Sequence, residues 1–307
     1  MTLTVYVMLL PAFTGSGLPV FAIDKSAYGV MLDYPNDLWD VSLSGIHIGD
    51  GFDPSLGFVP RNNVRLLAFN AQFAPRPERV FVRQMFHEVS LTQFTNLRRD
   101  RWETYSMSVK PLDWLFESGD RVEATISREG DRPPREFEVA PDVDIAPGSY
   151  EWSRRTMTLR SAAKRRISAE FSGENGGFYN GTLETVRGRL TLRASALLTV
   201  EITGERNLGR VWSPENESVQ HFHKAFRQDL IGGRLEVNVS PDLQFSSLTQ
   251  YDSESREFGS NSRLRWTFSP RGDLFIVYDH NEHRALNNHW SFQSSKVPLK
   301  LQYTWRF

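Results

Sequence analysis

Few residues in this 307-residue chain stand at spacings that suggest chemistry. His221-Phe222-His223 puts two imidazoles on one face of a strand, the start of a metal site. No Asp, Glu or His follows at a telling distance, so a pair of solvated strand histidines is the plainer reading. Asp279-His280-Asn281-Glu282-His283 gathers oxygen and nitrogen ligands at what reads as the start of a loop. That composition suits calcium or zinc capture, and equally a polar loop tip. Arg154-Arg155 and Lys164-Arg165-Arg166 flank an expected hairpin and suit acidic lipid headgroups or lipopolysaccharide phosphates, or simply a solvated face. Glycoside hydrolysis needs two acids roughly 5 to 9.5 Å apart, and nothing linear selects such a pair among 37 acidic residues. The Gly-x-Ser-x-Gly elbow, the Walker A loop, His-Glu-x-x-His and the dinucleotide-binding glycine pattern are absent. The sequence therefore names no catalytic residue, no metal ligand and no cofactor.

Composition narrows the classes further. Lys+Arg number 36 and Asp+Glu 37, so no global positive field argues for a nucleic-acid partner. The absence of Cys removes disulfides, Cys-ligated metals and thiol catalysis. No apolar run reaches the 18 or so residues of a membrane-spanning helix. The longest, Val5 to Leu10, is broken by Pro11, Thr14, Gly15 and Ser16, lacks the preceding basic residues of a secretory signal, and reads better as a strand. A membrane protein of this composition must be a barrel.

The elements support that class. Segments of about ten residues alternate apolar and polar side chains and end in Pro, Gly, Asn or Asp, the pattern of transmembrane strands. Leu190, Leu192, Ala194, Ala196, Leu198, Val200 and Ile202 form one face of what reads as a single strand. Leu235, Val237 and Val239 alternate with Arg234, Glu236 and Asn238, and Leu264, Trp266 and Phe268 with Arg263, Arg265 and Thr267. The final segment repeats this with Val297, Leu299, Leu301, Tyr303, Trp305 and Phe307 against Lys300, Gln302, Thr304 and Arg306. So many charges on an inner face would be ruinous in a dry core. Trp39, Trp102, Trp114, Trp152, Tyr179, Trp212, Trp266 and Trp305 stand near expected strand ends and suit interfacial girdles, though also ordinary cores. Short turns are expected at Ala74–Glu78, Arg187-Gly188-Arg189, Ser240-Pro241-Asp242 and Ser269–Gly272. Longer links are expected at Pro11–Lys25, Gly49–Asn62, Asn207–Glu217 and Asn281–Ser295. Gly130–Gly148, with Arg132-Pro133-Pro134, reads as an extramembrane excursion or an atypical hairpin. The expected fold is all-β, an antiparallel transmembrane β-barrel of about 14–16 strands over residues 1–307, or an incomplete one.

Several stretches together carry a resemblance to a known family. They are Asp33-Tyr34-Pro35-Asn36-Asp37-Leu38-Trp39, Gly51 to Arg61, Gly176-Gly177-Phe178-Tyr179 with Gly181, Gln250-Tyr251-Asp252, Asn261 to Trp266, Asp273 to Tyr278 and Leu301 to Phe307. Spread along most of the chain, they resemble the bacterial DUF5916 domain, found C-terminal to a family-9-like carbohydrate-binding module. The resemblance implies an outer-membrane β-barrel of unassigned activity, with no catalytic residues to carry over. The carbohydrate-binding module is missing here, as are a signal peptide and the first barrel strands, which suggests an N-terminally truncated member. Leu301, Tyr303, Trp305 and Phe307 also look like the C-terminal signal read by the barrel-assembly machinery.

The expected function is uptake or surface binding of hydrophilic solutes such as glycans at the bacterial outer membrane, with lipid, lipopolysaccharide and the assembly machinery as partners. An envelope carbohydrate-active hydrolase is the alternative, distinguished by two facing carboxylates in one cleft. A soluble sugar-binding β-sandwich is a third reading, distinguished by folding without detergent.

Overall fold

A computed structural model describes residues 12–13, 19–20, 25–53, 59, 61–77, 81–212, 223–285 and 287–305. Every regular element among them is a β-strand, as the alternation requires. The N-terminal pair is β1 (Ala12–Phe13) and β2 (Pro19–Val20). The following strands are β3 (Ala27–Tyr34), β4 (Trp39–Ile48), β5 (Val64–Phe73), β6 (Val82–Met85), β7 (His87–Asn96), β8 (Arg101–Phe116) and β9 (Arg121–Asp131). A small hairpin, β10 (Phe137–Ala140) and β11 (Val143–Ile145), precedes β12 (Tyr150–Arg160), β13 (Ile167–Phe178), β14 (Gly181–Arg193), β15 (Leu198–Trp212) and β16 (His223–Ser240). The last five are β17 (Leu243–Asp252), β18 (Glu257–Ser269), β19 (Gly272–Arg284), β20 (Trp290–Lys296) and β21 (Leu299–Tyr303).

Seventeen strands, β3–β9 and β12–β21, form one antiparallel sheet. Most strands pair with their sequence neighbours, but β9 pairs directly with β12 and leaves β10–β11 outside the sheet, and β5 pairs with β7 past β6. β6 and β7 both pair with β8, and β20 and β21 both pair with β19. Each of these couples occupies one place, so the 17 strands fill 15 positions. Turns of a few residues gather at one end, such as Ser240 to Leu243 and Ser269 to Gly272. The ends of β4, β9 and β15 and the starts of β5, β12 and β16, which the longer links join, lie at the other.

Register divides the sheet into two chemically opposite faces. Leu190 lies opposite Ile202 and Leu192 opposite Val200, with Ile202 opposite Gly233 on the next strand. The same face carries Val30, Leu43, Leu67, Met107, Ile126, Met157, Phe171, Leu299 and Leu301, all exposed; Phe171 is 52% and Leu301 70% accessible. The opposite face carries most of the ion pairs, and Asp113, Thr158, Ser172, Thr185 and Thr191 are buried there. A water-soluble protein would bury the first face and expose the second.

Four expectations change. Leu190 to Ile202 is the end of β14 and the start of β15 joined by Ala194–Leu197, not one strand. A turn with an even number of residues preserves side-chain parity, so the alternation runs through it unbroken. Arg187-Gly188-Arg189 lies in the middle of β14, with Gly188 opposite Phe171 and Gly204, because an open pleat accepts Gly as well as a turn does. Asn207–Trp212 extends β15, and Asn281–Arg284 extends β19, so both links begin later than expected. These strands simply run past the ten-residue pattern: β15 has 15 residues and β19 has 13.

Candidate functional site

The polar face of the sheet carries a belt of ion pairs from β7 to β15. Each pair joins adjacent strands because opposite positions across a ladder share a face. Glu88 and Lys110 are 3.3 Å apart, and Asp113 takes Arg121 in a two-pronged contact of 2.5 and 2.6 Å. Arg160 bridges Glu123 and Glu170 at 3.3 and 3.4 Å, Arg154 meets Glu174 at 2.7 Å, and Arg187 bridges Glu174 and Glu205 at 3.3 and 3.0 Å. Arg265 and Asp273, 3.1 Å apart, form a separate pair on β18 and β19. Such a wall is compatible with water and a poor neighbour for hydrocarbon.

The β10–β11 hairpin folds over this face at the long-link end. Ala140, Val143 and Ile145 are buried there against Val211 of β15, with Tyr150, Phe178, Tyr179 and Phe226 packed around them. The amide of Gln228 donates to the Val139 carbonyl at 3.1 Å. The seat is cut to fit. A Cβ on Gly209 would stand 2.0 Å from the Phe226 ring, and one on Gly176, at φ +153°, would stand 2.2 Å from the Ser153 carbonyl oxygen. Tyr179 takes a left-handed backbone at φ +50° and donates its hydroxyl to Asp131 at 2.8 Å. Burial pushes the Tyr179 phenol well above its ordinary value, keeping it a neutral donor. The Gly176 to Gly181 stretch singled out in the sequence is thus the hairpin's seat. Asp142 is held by its amide donating to Glu138 at 2.9 Å.

Beside the hairpin's stalk a cavity of about 730 Å³ opens at the same end. Its wall includes Arg61, Arg99, Arg101 and Arg132, together with Glu103 and Asp131. Arg132 lies 3.7 Å over the Trp102 ring and donates to Ser149 at 2.9 Å and to the Trp102 carbonyl at 3.0 Å. Arg61 donates to Thr104 at 2.8 Å and covers Phe94. Both acids are engaged by neutral donors, Glu103 by Asn96 at 2.6 Å and Asp131 by Tyr179. No signal in the sequence pointed here, because the wall draws on 61, 96–104, 131–134 and 147–149, brought together only by strand pairing.

The residues weighed in the sequence are dispersed. Asp279–His283 is not a loop but part of β19, and its side chains alternate between faces; His280 Nε2 meets Glu282 Oε1 at 3.1 Å on one. Among the described residues no three His, Asp or Glu converge on a metal site. His221 and Phe222 lie outside the described residues. Arg154 turns to the polar face and Glu174, whereas Lys164–Arg166 sits in a turn at the other end, where Asp120 takes Arg165 at 2.6 and 2.7 Å. The aromatic positions also split. Trp39, Trp212 and Trp266 are exposed with the apolar set, but Trp152 donates to Glu129 at 3.0 Å on the polar face and Tyr179 belongs to the hairpin seat. Trp102 is likewise covered by Arg132 in the cavity. Leu301 and Tyr303 share the apolar face of β21, Trp305 is exposed and meets Tyr303 edge-on at 5.0 Å, and Phe307 lies outside the described residues. No protein family, curated protein or solved structure matches the chain.

Proposed function

We propose that this chain is an outer-membrane β-barrel. Its sheet closes on itself, its apolar face meets lipid, its polar face surrounds water, and it serves uptake or surface binding of hydrophilic solutes such as glycans. The observation that carries this reading is the inversion of the two faces. Large aliphatic side chains are exposed from β3 to β21, while most ion pairs lie on the opposite face. β4, β5, β7 and β17 have 10 residues each and β12 has 11, about what a tilted strand needs to cross hydrocarbon. Aromatics on the apolar face gather toward both ends, Trp39 with Phe73 at 4.5 Å at one and Tyr251 with Trp290 at 5.8 Å at the other, as interfacial girdles do.

The long-link end then faces outward from the cell. Arg206 and Arg227, each 2.6 Å from Asp229, lie toward it on the lipid side, where lipopolysaccharide phosphates would meet them. Leu301, Tyr303, Trp305 and Phe307 would serve as the assembly signal. Membership of the DUF5916 family is part of the same proposal and rests on the dispersed stretches quoted above. The test is expression behind an added signal peptide in a Gram-negative host, with outer-membrane fractionation and heat-modifiability on a gel. Heat-modifiable protein in that fraction is expected. Folded β protein soluble in the periplasm would sink the reading.

A further inference from the structure

Arg263 and Lys300 on the polar face lack a carboxylate partner among the described residues, and four more such cations stand at the mouth. Arg61, Arg99, Arg101 and Arg132 line the mouth cavity, and none has a carboxylate within 4.0 Å among the described residues, whereas Arg121, Arg154, Arg160, Arg187 and Arg265 are all paired. Four arginines against two acids, Glu103 and Asp131, leave the wall with an excess of positive charge, which an anion offsets. Two of the four are already oriented, Arg132 by Trp102 and Ser149, Arg61 by Thr104 and Phe94, so little side-chain freedom is lost on binding. The cavity is far larger than one inorganic anion. Thr104 and Ser149 accept from the arginines and keep their own hydroxyl protons for a ligand.

We propose that this cavity binds a saccharide bearing carboxylate groups, the guanidinium groups taking the carboxylates in two-pronged contacts and the hydroxyls of Thr104 and Ser149 taking sugar oxygens. The proposal narrows the solute class of the barrel reading and rests on it for the side from which the ligand arrives.

The test is calorimetric titration of the full folded chain in detergent with trigalacturonate, maltotriose and inorganic phosphate. Trigalacturonate is expected to bind, and to weaken as NaCl rises from about 0.05 to about 0.5 M. Maltotriose, neutral and of similar size, is expected to bind at least tenfold more weakly. The side chains of Arg99 and Arg101 make no hydrogen bond or ion pair among the described residues, so the double variant Arg99→Gln/Arg101→Gln is expected to fold normally and to lose roughly tenfold or more in trigalacturonate affinity. Arg271→Gln, at the opposite end, is expected to change nothing. Equal binding of maltotriose, an unaffected double variant, or phosphate binding as tightly as trigalacturonate would each overturn the saccharide site. If the protein proves soluble yet binds trigalacturonate through these arginines, the barrel reading falls and the site stands. If it is a heat-modifiable barrel that binds none, the reverse holds.

Discussion

Asp120 illustrates how much a single side chain holds together in the short turns. It accepts from Arg165 through both oxygens, from Ser118 at 2.7 Å and from the Ala162 amide at 2.8 Å, linking the β8–β9 turn to the β12–β13 turn. Arg165 first, then Ser118 and the Ala162 amide, hold its carboxyl at about 2, below the usual 3.8. A depressed carboxylate pKa contributes stability that is present above the unfolded value and lost as pH falls through the folded one. Protection of the Ala162 amide from hydrogen exchange is therefore expected to be steady above about pH 4 and to fall between about pH 4 and about 2. Asp120→Asn should abolish that step; a variant that keeps it would show that another group is responsible. None of this was visible in the sequence, where Lys164-Arg165-Arg166 stood out as a basic cluster but its acidic partner lies 45 residues away.

At the scale of elements, the alternating strands were legible because period two shows locally which residues share a face. The hairpin β10–β11 was legible only as an irregularity. Its buried side chains, Ala140, Val143 and Ile145, find their partners on β12 to β16, and no local pattern records such a contact. In the barrel reading the hairpin obstructs the mouth. Replacing residues 135–146 with a short Gly-Ser link is expected to raise single-channel conductance in planar bilayers; an unchanged conductance would show that the hairpin does not narrow the path. The β14–β15 boundary shows the converse limit, since a parity-preserving turn leaves no break in the pattern to read.

For the whole molecule, lipid contact and closure are separately testable. Ile202 is 55% exposed on the apolar face. In a soluble protein Ile202→Arg should change stability by no more than about 0.5 kcal/mol, whereas facing hydrocarbon it should cost about 2–4 kcal/mol. Urea unfolding of protein refolded into lipid vesicles measures the difference. Closure concerns β3 and β21. β3 starts opposite Ile48 and ends opposite Val41, and β21 ends opposite Gly272, so both run from the long-link end to the short-turn end. With 15 positions, closing the sheet sets these two strands parallel to each other. The chain has no Cys, so pairs of single cysteines at Val30, Leu32 or Tyr34 and at Leu299, Leu301 or Tyr303 report on the seam cleanly. At least one pair is expected to cross-link in membranes; none doing so would mean that the strands do not meet.

The sequence by itself determined the all-β class, the two faces and several of the turns, because strand periodicity and Pro, Gly and Asp at turns are encoded within a few residues. It also directed attention to Gly176 to Gly181 without revealing why those residues were there. Tertiary structure decided which residues meet. Ion pairs such as Arg160 with Glu123, the hairpin seat around Ile145, and the arginine-lined cavity join segments 30 to 90 residues apart through ladder register and chain folding. Register is set by the summed preference of whole strands for one face over the other, so no single motif carries it.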